Sequence, residues 1–158
     1  MKALALNLVL ATLWLLLGRS RTTADFFIGF VVGFAGLSAF SAVLDTGDYP
    51  RRVWALIRFI AGFLREFFLA NLSVARRVLF GSNATLQPDF LTYDVAGLTR
   101  GEILVLSYCI TLTPGTTTVQ ISDDFRTLTL HALDASDPDA VRRGIDERLR
   151  HPLLRLTR

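Results

Sequence analysis

Few residues in this sequence could do chemistry, and their spacing decides what that chemistry would be. Glu66 is the one acid inside a hydrophobic stretch, where a carboxylate can serve an ion path or pair with a nearby arginine. Membrane ion and proton carriers place titratable groups within apolar helices, because a moving proton needs a relay. Residues 3–17 and 26–44 contain no Asp, Glu, Lys, Arg or His. Asn7, Thr12, Ser38 and Ser41 are polar but cannot relay charge. This chain alone is therefore a poor candidate for a pump or antiporter. At helical spacing Glu66 falls beside arginines, so a local ion pair is the expected role.

The remaining candidates point away from catalysis. His131 and His151 have no cysteine, histidine or carboxylate at ligand spacing. Asp123, Asp124, Asp134, Asp137 and Asp139 lack the spacing and the glycine of a calcium loop, and read as turns and a helix cap. Cys109 is the only cysteine, so no internal disulfide and no cysteine-based metal site can form. No nucleophile elbow, phosphate loop or dinucleotide fingerprint occurs. The reading is a chain that is not an enzyme, with no cofactor, no metal and no small-molecule substrate of its own.

The elements that would position these residues begin with a membrane anchor. Of the 158 residues, 51% are hydrophobic, and the excess lies before residue 80. Residues 3–17 are apolar between Lys2 and Arg19. Thr22-Thr23-Ala24 resembles a signal cleavage site, but a second apolar run follows at once, so a retained helical hairpin is expected. Residues 26–44 match a bilayer core of roughly 30 Å, and Lys2 and Arg19 can snorkel to complete the shorter first run. Gly29 and Gly33 form a G-x-x-x-G pair that permits close helix approach.

Pro50 marks the start of a long helix over residues 53–80. Arg51, Arg58 and Arg65 recur every seven residues, and Arg76 follows eleven later. At about 100° per residue they form one narrow stripe. Leu56, Ile60, Phe63, Phe67, Val74 and Val78 cluster elsewhere on the wheel. This is the pattern of a basic amphipathic helix in the membrane interface, its arginines on headgroups or on an acidic protein surface. A third spanning helix is the competing reading, and would have to bury Arg58 and Arg65. The positive-inside rule places the C-terminal domain in the cytoplasm. Arg19 and Arg21 on the outer loop oppose this and are outnumbered. Basic residues interleaved with exposed aromatics are absent, which excludes nucleic acid as a partner.

From residue 84 the chain changes character. A strand is expected within 86–95. Residues 100–110 read as a buried helix capped by Thr99, although their length also admits a strand. Thr113-Pro114-Gly115 is a turn. Residues 116–122 and 127–133 read as paired strands. Asp137-Pro138 opens a final helix to about Leu149. The fold class is a membrane α-helical N-terminal region of two, possibly three, helices plus a small cytoplasmic α+β domain in the order β-α-β-β-α. Its divisions are a hairpin over 1–45, a basic helix over 51–80 and the domain over 84–158. Asn83-Ala84-Thr85 has the form of a glycosylation sequon and is discounted on the cytoplasmic side.

The strongest local signal is Ile110-Thr111-Leu112-Thr113-Pro114-Gly115-Thr116, a hydroxyl-rich turn that is either purely structural or a docking point for a partner. This run, followed by Val119, Ser122-Asp123 and Leu130-His131-Ala132, resembles the E-type subunit of the Mrp-type multisubunit Na+/H+ (monovalent cation/proton) antiporters. Leu6-Asn7, Trp14, Phe27-Ile28-Gly29, Gly33, Glu66, Asn71 and Val74 extend the likeness over nearly the whole chain. Tyr108-Cys109 departs from it, which touches only local packing. The resemblance implies a bacterial plasma-membrane assembly of six or seven different subunits that exchanges sodium for protons. The large subunits of such assemblies carry the proton relay, and this one is a non-catalytic accessory or assembly component. Expected contacts with other subunits are Gly29, Gly33, Thr113, Pro114 and Gly115. The alternative is a free-standing membrane-anchored binding or sensor module, which would be stable without partners.

Overall fold

The computed structural model describes residues 2–19, 21–41, 44, 48–80 and 86–158. The sequon at 83–85 lies outside them. The chain divides into two compact units, Met1–Ala55 and Leu56–Arg158.

The first unit is a helical hairpin with the start of a third helix. Helix α1 spans Lys2–Leu17 and α2 spans Thr23–Ala39. A capping box starts α2: Asp25 N–H donates to the Thr22 hydroxyl, and Asp25 accepts from Thr22 N–H at 2.8 Å. This local chemistry moves the helix start ahead of the apolar run. Its end is also earlier than the run suggests: Phe40 caps it, its N–H donating to Gly36 O while Ser41 N–H donates to Ser38 O, so Leu44 lies beyond the helix. The two helices have 16 and 17 residues. Among the described residues no helix is long and apolar enough to cross a membrane.

Helix α3 runs from Asp48 to Phe80 and carries the chain from the first unit into the second. The second unit holds strand β1 (Asp89–Asp94), helix α4 (Arg100–Leu112), strands β2 (Thr116–Ile121) and β3 (Thr127–Ala132), and helices α5 (Pro138–Ile145) and α6 (His151–Thr157). The strands form one antiparallel sheet in the order β1-β3-β2. Register places Leu91 opposite Leu130 and Leu130 opposite Thr118, and a bulge between Thr118 and Gln120 shifts the edge strand.

Residues 100–110 are helical, and α4 continues to Leu112. A second capping box, Thr99 with Glu102, starts it. Ile103, Leu106 and Ile110 then recur at helical spacing and are buried against Leu91, Leu128 and Leu130 of the sheet. Ile145, Leu149 and Leu153 complete the same core. The last helix does not stop near Leu149. It widens into a π turn over Asp146–Arg150 and continues as α6. Pro152 has no N–H to return to the carbonyl four residues earlier, so the regular ladder is interrupted there.

Candidate functional site

The second unit contains a groove of about 460 Å³ between α3 and the α+β core. The register of α3 makes it. Phe59 and Phe63 pack on the core, and Glu66, Ala70, Ser73 and Arg77 follow on the same face at spacings of three and four. Glu66 is 13% exposed and bridges two arginines, Arg65 at 2.7 Å and Arg148 of the π turn at 3.4 Å. The ion pair with Arg65 is the one expected from the sequence. Glu66 also faces the domain, so its second partner comes from the far end of the chain. Further along, Arg77 donates to Asp134 at 3.3 Å. The Asp134 carboxyl is held below its usual range by the Ser136 hydroxyl and N–H first, and then by Arg77.

The Thr113-Pro114-Gly115 turn lines the same groove. Its threonines serve the fold. Thr113 Oγ1 donates to Cys109 O at 2.8 Å and Thr116 Oγ1 to Ile110 O at 3.2 Å, adding to the Thr113 N–H bonds that cap the last turn of α4. Gly115 adopts φ +102°, a conformation that suits glycine, and its carbonyl accepts from Leu133 N–H at 2.8 Å. Pro114 is half-buried at the groove wall.

In the first unit the Gly29–Gly33 face is buried, and the chain fills it from within. A Cβ on Gly29 would lie 2.6 Å from Cβ of Trp14, and one on Gly33 would collide with Asn7 Oδ1. The glycines give the close approach that their spacing implies, but α1 occupies it. A partner helix could take that seat only by displacing α1. Asn7 is fully buried there and donates from Nδ2 to Tyr49 Oη at 2.8 Å. Among the described residues its Oδ1 has no hydrogen-bond partner.

The family described as "Na+/H+ ion antiporter subunit" matches residues 7–156. The chain belongs to this family. It is 35% identical over 153 residues to the E-type subunit of the Na+/H+ antiporter of Alkalihalophilus pseudofirmus, covering 97% of this chain and 96% of that relative. A chain of the Mrp complex from a Dietzia species is 28% identical, with a TM-score of 0.47 over 63% of this chain and 96% of that one. A chain of an archaeal membrane-bound sulfane sulfur reductase, a respiratory membrane complex, is 26% identical, with a TM-score of 0.51 over 84% of this chain and 83% of that one.

This antiporter-family chain keeps Arg51, Arg58, Arg65 and Arg76 exposed on α3. The apolar residues of α3 split into two groups rather than forming one face. Phe63 and Val74 turn to the domain, whereas Leu56, Ile60 and Val78 are exposed together with Ile57, Leu64, Phe68 and Leu72. Periodicity alone does not reveal this division, because an apolar residue suits both surroundings. Arg148 and the Arg77–Asp134 pair were also out of reach of the sequence, since their contacts span 82 and 57 positions and carry no local signature.

Proposed function

We propose that this chain is a non-catalytic accessory and assembly subunit of a multisubunit sodium/proton antiporter in a bacterial plasma membrane. The observation that carries it is the match to an E-type antiporter subunit along 97% of the chain. Two further facts support it. Residues 3–17 and 26–44 hold no titratable group, so these two segments supply no proton relay. A similar chain occurs in an archaeal respiratory membrane complex, which is consistent with a component of large membrane assemblies.

In this reading α1 and α2 form a membrane hairpin, with Lys2 and Arg19 reaching the two headgroup layers. Helix α3 lies in the cytoplasmic interface, with Arg51, Arg58, Arg65 and Arg76 on headgroups and the exposed apolar side chains toward the acyl region. The α+β domain is cytoplasmic and meets neighbouring subunits, with Pro114 among the contacts.

The test is the native mass of the tagged chain after extraction in mild detergent, with its companions identified. Recovery in an assembly with several large membrane subunits is expected. Recovery as a stable monomer or homo-oligomer would overturn the reading in favour of a free-standing module.

A further inference from the structure

The groove of the second unit combines two kinds of surface. Its floor is apolar, with Ala70 and Val74 on one side and Val141, Ile145 and Leu149 on the other. Its rim carries three guanidiniums, Arg65, Arg77 and Arg148, against two carboxylates, Glu66 and Asp134. Each carboxylate is already bridged, yet the side chains of Arg65 and Arg148 remain 72% and 65% exposed. A guanidinium has five N–H donors and no acceptor, so most of these donors stay open. The group that completes them accepts only and is anionic, and phosphate matches the guanidinium fork. The volume of about 460 Å³ falls among small-molecule sites of roughly 300–1,000 Å³. An apolar floor beneath an anion-seeking rim fits an amphiphile. A peptide segment would also need acceptors for its own N–H groups, and both rim carboxylates are engaged.

We propose that this groove holds one phospholipid with a net-negative headgroup. Its phosphate sits at the Arg65, Arg77 and Arg148 rim, and one acyl chain lies along Val74, Ile145 and Leu149. The assignment rests on the reading of α3 as an interfacial helix, because that placement gives lipid access to the groove. Bound there, a lipid would bridge α3 to the α+β core through the rim that Glu66 organises.

Gly144 supplies the test. It lines the groove, and a Cβ built on it meets nothing within 4 Å, so Gly144→Leu fills the space without a backbone clash. The delipidated full-length chain in dodecyl maltoside is titrated with dioleoyl phosphatidylglycerol or dioleoyl phosphatidylcholine, and retention is read by native mass spectrometry. One phosphatidylglycerol per chain is expected, favoured about tenfold over phosphatidylcholine. Gly144→Leu, with the melting temperature kept or raised, and Arg148→Ala, with a slightly lower melting temperature from the lost Glu66 pair, should each lower that retention about tenfold. Arg58→Gln with Arg76→Gln should leave retention intact and reduce flotation on phosphatidylglycerol vesicles. Equal retention of the two lipids would overturn the proposal, as would undiminished retention in a folded Gly144→Leu protein. Loss of companion subunits in Gly144→Leu with lipid retained would assign the groove to a protein partner and also overturn it. Flotation that ignores both salt and the double substitution would overturn the interfacial reading of α3, a failure separate from loss of the bound lipid.

Discussion

Glycines in this chain separate steric need from conformational need. Gly33 lies against Asn7, so a methyl there must push a buried amide or force the two helices apart. Gly33→Ala should destabilise the full chain by about 1–3 kcal/mol, in the range of overpacked cores. Gly36→Ala, with open space at its Cβ, should be neutral or stabilise by up to about 1 kcal/mol. Thermal unfolding in detergent checks both. Adding Asn7→Ala to Gly33→Ala should recover some of the loss, since the two side chains share one space. Gly115 differs: a Cβ there meets no atom, and only its φ of +102° forbids a side chain. Gly115→Ala should therefore cost about 1 kcal/mol or more through backbone strain alone, seen as an earlier melt. Reduced complex yield in that variant would mix folding with docking. Pro114→Ala is the cleaner probe of docking, and it should lower recovery of companion subunits while the isolated chain still melts cooperatively.

At the scale of elements, the cap of α4 makes stability depend on pH. Glu102 is 5% exposed and its pKa is lowered from 4.5 to about 2, chiefly by the Thr157 hydroxyl and then by Thr99 N–H. The folded pKa lies below the unfolded one, so this stabilisation is complete above about pH 4.5 and fades as the pH falls toward 2. Glu102→Gln should melt lower at neutral pH and show a flatter decline between those two values. A decline as steep as in the parent chain would assign the acid sensitivity to other carboxylates. The start of α4 was legible in the sequence because an N-cap is local and Thr99 directly precedes the helix, whereas Glu102, which completes the capping box, was not picked out and the segment's length left a strand open. Residues 116–121 and 127–132 were legible for a similar reason, since alternation and a short turn specify a hairpin. The end of α2 and the continuation of the last helix past Leu149 were not. Apolar composition continues beyond the cap at Phe40, and the contacts that seat α6 are tertiary, with Leu153 in the core and Thr157 on Glu102. The groove was hidden for the same reason, because it joins residues 65–77, 113–116 and 133–149.

For the whole molecule, function follows from where charge is placed. Residues 3–17 and 26–44 are without titratable groups. Three acids are committed elsewhere: Glu66 to two arginines, Asp134 to Arg77, Glu102 to the α4 cap and Arg158. A proton crossing a bilayer needs a chain of sites that bind and release it, and a cation needs oxygen ligands along its path. One glutamate tied to Arg65 and Arg148 provides neither. The chain reconstituted alone into liposomes should therefore give no sodium-dependent proton movement above empty vesicles, read with an internal pH-sensitive dye. The assembled complex should give it under the same gradient. Glu66→Gln within the complex should act through assembly: subunit recovery and transport should fall together, and transport per recovered complex should stay constant. Sodium-dependent proton movement by the chain alone, abolished by Glu66→Gln, would instead place Glu66 on an ion path and remove the accessory role.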